Sequence, residues 1–452
     1  MATFDSALAR VQRDCASLLP DHIDTLARAA EHTFRNTTLT PGATLSLFVR
    51  QIACGNVACA AMRHLAGEEF SDSAWCAARS RLPLKVIEQA QREWVDEARR
   101  ELSLDASHRW RGHRVYVIDG SSDSMPDSPP LRAHYGVPSV CRQGLGFPTA
   151  HLLLLMDRAS GLFLDCIDNP LSTSDLSQAQ KMHDHLQHGD VLLGDVAFAG
   201  WAHLALLIQR KLHAVVPAHH RRIVDFSPGR PHAHPHKGKS NSHTGKPRAQ
   251  VIRSLGEDDQ LVNYFKPREK PAWMDPTQWD ALPQSITLRE IRRTIKRNGF
   301  RPIQVTIVTT LLDADAYPAD DLVELRLSRW LIETNIRHLK ITLKMDELKC
   351  KTLDGVRKER LIFLLVYNLI RIIMLKAAKR QHVNINRLSF ADALAWLRWG
   401  EFDAEVTLIA NPLRPGRLEP RVRKRPKKQF PHMTLPRSEL KSQLRAKHKD
   451  TA

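Results

Sequence analysis

Short apolar runs alternate with amphipathic segments between residues 113 and 218, and this alternation restricts the possible folds more than any other feature. Helices are predicted over 174–189 and 201–211, where apolar residues recur with the helical period. The β-branched and aliphatic runs predict strands at residues 113–120, 149–157, 162–168, 190–195 and 213–218. Strands followed by crossover helices form sheets with helices packed on them, so this segment predicts a mixed α/β sheet.

The regions on either side of this segment have different patterns. Residues 1–107 carry helical periodicity throughout and predict a separate α-helical domain. Between about 220 and 312, strand-like runs follow a loop rich in Pro, Gly, His and Lys, which predicts a β-rich insertion. Three helical segments come next, at 327–351, 357–378 and 389–400. The α/β domain is therefore expected to span 108–410, with a basic, disordered tail at 411–452.

The net charge of the chain indicates the kind of partner. There are 67 Lys and Arg residues against 49 Asp and Glu residues, which gives a formal net charge of +18. More than half of this excess lies in the tail, residues 411–452. A basic excess of this size favours a polyanionic partner, with nucleic acid ahead of an anionic membrane surface.

Membrane insertion and secretion are not expected. A spanning helix needs about 18 consecutive apolar residues, and the nearest run, 361–375, is interrupted by Asn368 and Arg371. The N-terminus has acids where a signal peptide needs a basic start. The seven cysteines are odd in number and scattered, which favours reduced thiols in a cytoplasm. The sequence therefore predicts a cytoplasmic protein that does not contact membranes.

Three acids are candidate site residues. Asp119 and Asp195 each follow a predicted strand, and strand ends at one edge of an open sheet converge on a ligand. Glu333 lies on the predicted helix 327–351, which can pack against the same sheet. Three carboxylates on rigid elements suit Mg²⁺, and two ions about 3.5–4 Å apart support phosphoryl transfer. Either aspartate taken alone is better explained as a turn residue.

The helix that carries Glu333 has two stripes. One is apolar and predicts a buried face: Ile332, Ile336, Leu339 and Leu343. The other places one acid among four bases: Arg329, Glu333, Arg337, Lys340 and Lys344. Ion pairs between residues four apart, worth a few tenths of a kcal/mol each, are one interpretation of this stripe. The other interpretation is that Glu333 is a metal ligand and the surrounding cations bind phosphates.

The segments "VYVIDGS" and "LLGDVAF", together with the spacing of Arg329, Glu333 and Lys340, resemble the DDE transposases of bacterial insertion sequences. The resemblance is to the group with a tyrosine–arginine–glutamate–lysine signature and a β-rich insertion. It covers residues 112–400 and includes the first-acid segment "DGSSDSMPDSP". It implies a ribonuclease-H-like core with the first acid on the first strand, the second on the fourth and the third on a later helix. The predicted strands independently place Asp195 on the fourth.

The resemblance also implies an activity. Asp119, Asp195 and Glu333 are then the catalytic residues and bind two Mg²⁺ (or Mn²⁺) ions. Their neighbours bind DNA phosphates: Arg329, Arg337, Lys340 and Lys344. The expected function is metal-dependent DNA strand cleavage and strand transfer at the ends of an insertion sequence, by cut-and-paste. The N-terminal domain and the insertion are expected to contact double-stranded DNA, both terminal inverted repeats and target, within a homodimer.

Two other functions remain open at this point. One is a ribonuclease-H-like nuclease or resolvase that only cleaves DNA. The other is a non-enzymatic DNA-binding regulator derived from a transposase, for which a broken set of acids is expected. All three acids are present in this chain.

The chain departs from the signature at position 326, where the tyrosine is replaced by Arg326. A guanidinium is permanently charged and can bind a phosphate through two hydrogen bonds. We therefore predict that Arg326 takes over the phosphate contact of the tyrosine. The alternative is an exposed arginine that pairs with Glu324 or another acid.

Histidines and tryptophans in the insertion offer further alternatives. Six histidines could suggest zinc, but without nearby cysteines a segment facing nucleic acid is favoured: His219, His220, His232, His234, His236 and His243. Trp273 and Trp279 could hold a flipped base, although hydrophobic anchoring is the more common role of such residues. The sequence has no Walker A or GxGxxG motif, so no nucleotide cofactor is expected.

Overall fold

The structure is a computed structural model, and it describes residues 19–102, 109–139, 145–233, 245–296, 301–399 and 435–449. The strands in these residues are β1 (Val115–Ser124), β2 (Thr149–Asp157), β3 (Phe163–Pro170), β4 (Val191–Leu193), β5 (His213–Pro217), β6 (Ala249–Gly256), β7 (Asp259–Phe265), β8 (Ser285–Ile295) and β9 (Ile303–Thr309). They form one sheet in the order β3-β2-β1-β4-β5-β9-β8-β7-β6. β1, β4 and β5 run parallel to one another, and the other neighbouring strands pair antiparallel.

The helices before the fourth strand are α1 (Pro20–Ala29), α2 (Pro41–Ala53), α3 (Met62–Ala66), α4 (Asp72–Arg81), α5 (Leu84–Glu101), α6 (Pro129–Tyr135) and α7 (Asp175–Met182). Those after it are α8 (Trp201–Gln209), α9 (Pro276–Asp280), α10 (Ala319–Leu327), α11 (Trp330–Arg337), α12 (Leu353–Gln381), α13 (Phe390–Trp399) and α14 (Arg437–Lys449). The mixed α/β organisation predicted from the sequence is therefore confirmed, including the strands of the insertion.

Helices cover both faces of the sheet. Because the side chains of a strand point alternately to opposite sides, each central strand contributes to two cores. Val115 and Val117 of β1 belong to one core, which also contains buried residues of α10–α13 and of the N-terminal helices. Tyr116 and Ile118 belong to the other core, with α7 and α8. By this alternation Asp119 lies on the face of the sheet that α11 covers, and Gly120 lies on the face that α7 covers.

The long helix α12 is the centre of the first core. By length and composition it could cross a membrane, but 89% of its most apolar window is buried inside the protein. Asn368 and Arg371, which interrupt its apolar run 361–375, hold the turn between β2 and β3. Asn368 accepts from Phe163 N at 2.9 Å and donates to Phe163 O at 2.8 Å. Arg371 donates to Ser160 O at 2.7 Å. These contacts explain why the apolar run contains an amide and a guanidinium.

The prediction of one helix over 327–351 is wrong. α10 ends at Leu327, α11 covers Trp330–Arg337, and a wide π-helical turn, His338–Thr342, ends the helical segment. The chain then leaves the helical path, because Met345 and Leu348 are buried in the core. The carboxylate of Glu359 accepts hydrogen bonds from the backbone N–H of Lys349 and Cys350, which satisfies donors that a continued helix would have used.

Part of the tail also differs from the prediction. Residues Arg437–Lys449 form the exposed helix α14, so disorder is wrong for this stretch. Its Lys, Arg, Glu, Gln and Leu residues are strong helix formers, which offsets the repulsion among its charges. The predicted domain boundary near 107, the rest of the tail and residues 234–244 of the basic loop lie outside the described residues.

Candidate active site

The register between β1 and β4 brings two acids to the same level of the sheet. The parallel pairing ends at Val117↔Leu193, and Asp119 and Asp195 each lie two residues further along their own chains. Asp119 does not end its strand, as the sequence suggested, because β1 continues to Ser124 by pairing with β2. The two aspartates therefore meet where β4 stops and leaves the edge of β1 open.

Beyond Asp119, β1 is fixed to α12 by a buried ion pair. Arg360 Nε and Nη2 donate to the two carboxylate oxygens of Asp123, each at 2.8 Å. Both side chains are almost fully buried, at 3% and 0% exposure. A bidentate contact of this kind restricts the orientation of both partners. The strand that carries Asp119 is therefore held firmly on both sides of the acid.

Asp195 lies two residues after the end of β4 and caps a short 3₁₀ turn, Val196–Ala199. Its Oδ1 accepts a hydrogen bond from the backbone N–H of Ala197 at 2.8 Å. The carboxylate therefore has one oxygen held by the turn. This local contact is the turn-residue role that the sequence allowed, and it is compatible with a second role for the other oxygen.

Glu333 of α11 is connected to Asp119 by Arg329. Arg329 Nη1 donates to Asp119 Oδ2 at 2.8 Å, and Arg329 Nη2 donates to Glu333 Oε1 at 2.5 Å. The side chains of Arg329 and Asp119 are only 12% and 13% exposed, whereas that of Glu333 is 38% exposed. The guanidinium thus lies between the first and the third acid and supplies positive charge there.

The pKa values of Asp119 and Arg326 depend on the charges of the other two acids and of Arg329. Burial raises the pKa of Asp119 to about 6; Arg329 opposes this rise, and Asp195 and Glu333 add to it. Burial lowers the pKa of Arg326 to about 10, helped by Arg329 and opposed by Asp195, Asp119 and Glu333. Charges influence each other in this way only over short distances in a partly buried site. The structure therefore brings Asp119, Asp195, Glu333, Arg326 and Arg329 into one cluster.

The remaining predicted cations divide into two groups. Lys340 Nζ donates to Ser122 O at 2.5 Å and so lies beside β1. Arg337 and Lys344 are exposed, and Lys344 has a left-handed backbone with φ 67° beyond the π-helical turn. Lys344 therefore does not continue the stripe that the sequence predicted, because the helix has already ended.

Arg326 lies at the end of α10 and faces the acids. Its Nε atom is buried and has no hydrogen-bond partner in the part of the chain that the structure describes. No ion pair joins it to Glu324 or to another acid within the described residues. A half-buried guanidinium with an unused donor beside a cluster of carboxylates is suited to bind an incoming anion.

Sequence reasoning missed a pair that lies next to Asp119. His151 Nε2 of β2 is 3.1 Å from Asp175 Oδ1 at the start of α7. The signal in the sequence is that His151 is the polar residue in the apolar run "TAHLLLLMD". Its partner lies 24 positions away, so the pairing itself could not be read from the pattern.

The metal site expected from the sequence can be tested against these contacts. The described residues contain no group of three or more His, Cys, Asp or Glu close enough to hold an ion. Arg329 explains this, because it separates Asp119 from Glu333. The donor set still suits a hard divalent cation, which prefers carboxylate oxygens. The residues therefore fit such an ion provided that the guanidinium moves away.

The histidines and tryptophans of the insertion have structural contacts. His219 stacks on His220, and His232 stacks on Phe265; His234, His236 and His243 lie outside the described residues. Trp279 is 7% exposed and packs edge-on against Trp201. Trp279 therefore serves as a hydrophobic anchor, and the half-buried Trp273 packs against the same core.

Comparison with known proteins shows the family of the chain. The family model described as "Transposase DDE domain" matches residues 110–369, which include all three acids. The chain therefore belongs to the transposase DDE domain family. Proteins of this family generally act on DNA and use divalent metal ions.

Among individual proteins, the chain is 24% identical over 330 residues to the transposase InsG for insertion sequence element IS4 of Escherichia coli (strain K12). The match covers 69% of this chain and 65% of that relative, so the chain spans about two thirds of the relative's length. Among solved structures, the fold is similar to a piggyBac transposase synaptic complex with hairpin DNA, at a TM-score of 0.40 and 10% identity. That similarity covers 86% of this chain and 77% of the other.

Proposed function

We propose that the chain is a transposase that cleaves DNA at the ends of an insertion sequence and joins those ends to target DNA, by cut-and-paste. The observation that carries this proposal is the cluster in which Arg329 links Asp119 to Glu333, with Asp195 beside Asp119 at the end of β4. Carboxylates grouped in this way can hold two divalent ions, and a two-metal site supports in-line displacement at a phosphodiester. Membership of the transposase DDE domain family supports the same conclusion.

The catalytic core is, on this proposal, ribonuclease-H-like. The strand order β3-β2-β1-β4-β5, with β1, β4 and β5 parallel, supports it. The first acid then lies on the first strand, the second follows the fourth, and the third lies on a later helix. The strands β6–β9 extend the same sheet and form the insertion between the second and third acids.

Asp119, Asp195 and Glu333 would hold two divalent ions, Mg²⁺ or Mn²⁺. When bound, such ions lower the pKa of the attacking water or 3′-OH and stabilise the leaving oxygen. Asp119 is ionised at neutral pH despite its raised pKa, because about 6 is still below 7. The protein's own contribution is to hold the three carboxylates on rigid elements, which reduces the reorganisation needed during the reaction.

The cations around the acids bind and orient the DNA. Arg326 and Arg329 lie among the carboxylates, and each can bind a phosphate through two hydrogen bonds. Lys340, beside β1, provides a point charge. Arg337 and Lys344, which are exposed, contact phosphates further from the acids. Phosphate contacts of this kind set the position of the DNA and leave sequence recognition to other regions.

The proposed partners are the element's terminal inverted repeats and a target DNA. The net charge of +18 favours them, as does the basic tail. The N-terminal helices, residues 1–107, and the insertion contact the element ends, and the protein acts as a homodimer in the cytoplasm of a bacterium, close to the nucleoid. α2 and α5 pack on α12, so the N-terminal helices are fixed to the catalytic domain and can place a DNA end relative to the acids.

Substitution of each acid tests the proposal. Asp119→Asn, Asp195→Asn and Glu333→Gln should each lose cleavage of DNA that carries the element ends by at least about a thousandfold, which corresponds to about 4 kcal/mol. Binding of the same DNA should remain largely intact. Asp165→Asn is a matched control, because Asp165 is ion-paired to His185 away from the cluster. A variant that cuts at the rate of the unsubstituted chain would remove its residue from the catalytic set.

The same assay separates the alternatives. A nuclease or resolvase releases cut ends without joining them, so joined products with target DNA distinguish the transposase. A DNA-binding regulator would bind the ends and show no metal-dependent cutting at all. The presence of all three acids around Arg329 favours an enzyme over a regulator.

A further inference from the structure

The pair formed by His151 and Asp175 packs against the backbone that carries the first acid. His151 belongs to β2, opposite Ser122 of β1. Its Nε2 atom is 3.1 Å from Asp175 Oδ1, and the two side chains are 21% and 23% exposed. Both lie on the face of Gly120, whereas the side chain of Asp119 points to the opposite face. The pair therefore supports the strand from behind the acid.

The space around Gly120 shows how closely His151 and Asp175 approach the backbone of β1. A Cβ atom at this position would lie 3.3 Å from both carboxylate oxygens of Asp175 and 3.3 Å from His151 Cε1. Three contacts of this length are tighter than side chains normally make, so a larger residue would push the pair or the strand aside. The glycine that follows Asp119 thus leaves room for the side chains of Asp175 and His151.

The same helix also reaches the segment of the second acid. Asp195 begins the turn Val196–Ala199, and Gly200 follows that turn. A Cβ atom at Gly200 would lie 3.2 Å from Leu176 Cδ1, in the first turn of α7. Burial raises the pKa of Asp175, His151 opposes this, and Asp195 raises it further, which is consistent with a short distance between the two acids. The first turn of α7 therefore touches both acid-bearing segments.

We propose that His151 and Asp175 are positioning residues that set the spacing between Asp119 and Asp195 and so tune the affinity of the site for divalent metal. Neither residue touches the reacting atoms. They act through Gly120, which is bonded to Asp119, and through the start of α7, which packs on the turn that Asp195 begins. This inference rests on the proposed function, because it concerns the metal site of that function. Residues that orient metal ligands typically change metal affinity by 10- to 100-fold when they are replaced.

A second His–Asp pair in the same region provides a matched control. His185 Nε2 lies 2.9 Å from Asp165 Oδ2, with side-chain exposures of 22% and 33%. His185 follows α7 in a 3₁₀ turn, and Asp165 belongs to β3, at the edge of the sheet. The two pairs are alike in chemistry and exposure, but Gly120 is in contact with only the first. A general loss of stability should affect them equally, and a positioning role should not.

The experiment compares His151→Gln, Asp175→Asn and His185→Gln in the full chain. Binding of Mn²⁺ is measured by electron paramagnetic resonance without DNA, and the Mg²⁺ concentration for half-maximal cleavage is measured separately. His151→Gln and Asp175→Asn should need about 10- to 100-fold more metal in both assays, with DNA binding unchanged. His185→Gln should match the unsubstituted chain. If all three variants respond alike, the positioning role is refuted.

A double-substitution cycle tests the contact itself and does not depend on either variant being fully stable. Gly120→Ala should weaken metal binding in the unsubstituted chain, because its Cβ meets the Asp175 carboxylate. In an Asp175→Ala background two of the three close contacts are gone and only that to His151 remains, so Gly120→Ala should have a clearly smaller effect. Equal effects of Gly120→Ala in both backgrounds would refute the proposal.

Failure of the proposed function would look different. An unsubstituted chain that neither binds Mn²⁺ nor cuts element ends would refute the proposed function and this inference with it. An unsubstituted chain that does both, loses both in Asp195→Asn, and is unaffected by His151→Gln would refute this inference alone.

Discussion

On the proposed function, Arg329 should compete with metal for the carboxylates of the cluster. Its guanidinium contacts Asp119 Oδ2 and Glu333 Oε1, so a divalent ion bound to both acids must displace it. Arg329→Gln removes the positive charge and keeps a side chain of similar reach. In the chain without DNA, this substitution should strengthen the binding of Mn²⁺.

The size of the effect follows from the two contacts. A hydrogen bond to a charged group contributes about 1.5–3 kcal/mol. The contact to Glu333 must be discounted, since that carboxylate is 38% exposed and water screens it. A net gain of about 1–3 kcal/mol in metal binding is therefore expected, or roughly 5- to 150-fold in affinity. Arg329 also opposes the rise in the pKa of Asp119, so the measurement is best made at about pH 8, where protons compete less.

The assay is electron paramagnetic resonance of free Mn²⁺ during titration, with and without a short DNA duplex. Phosphates that attract Arg329 free the acids, so DNA should strengthen metal binding to the unsubstituted chain and have much less effect on Arg329→Gln. Arg337→Gln is the control for the titration without DNA, because Arg337 is exposed on the same helix and is not among the groups that shift the pKa of Asp119. If Arg329→Gln binds Mn²⁺ no more tightly than the unsubstituted chain does, the competition does not exist.

Three further predictions concern other parts of the chain. Arg326→Ala should reduce end cleavage and Arg326→Tyr should restore much of it; an alanine variant that cuts normally would exclude the phosphate contact. Burial lowers the pKa of His203 to about 4, so the unfolded chain binds a proton below pH 6.5 while the folded chain does not. Stability should fall by about 3 kcal/mol between about pH 6.5 and pH 4, and urea melts of His203→Asn should show a weaker pH dependence. Truncation after residue 410 should reduce the slope of log K against log salt for all DNA sequences by about 0.9 per lost phosphate contact; an unchanged slope would mean that the tail does not touch DNA.

The sequence predicted the parts of the fold that depend on local periodicity. Strands β1–β5 and the helices between them appear in the sequence as alternating apolar and amphipathic runs, so each could be recognised as a strand or a helix. The approach of Asp119 and Asp195 could also be expected, since acids that follow adjacent strands meet at one edge of a sheet. The register Val117↔Leu193 gives the reason: each acid lies two residues beyond a paired position.

The features that the sequence did not predict depend on contacts between distant residues. β1 continues past Asp119 because β2 pairs with it, and the helix after Glu333 ends because Met345 and Leu348 are drawn into the core. Glu359 then satisfies the backbone there. None of these contacts has a local signature. The pairing of His151 with Asp175 has the same origin, because it becomes visible only when α7 is placed on the sheet.

Charge balance connects these contacts to the way the site works. Three carboxylates placed together in a partly buried cluster repel one another, and without compensation their pKa values would rise until they took up protons. In the chain alone Arg329 opposes the rise in the pKa of Asp119, and the three acids in turn oppose the fall in the pKa of Arg326. A DNA phosphate and a divalent cation arriving together allow an exchange of partners, in which the guanidinium binds the phosphate and the carboxylates bind the metal. Neither ligand alone completes that exchange, so on the proposed function DNA should strengthen metal binding, and metal should strengthen DNA binding by the same factor.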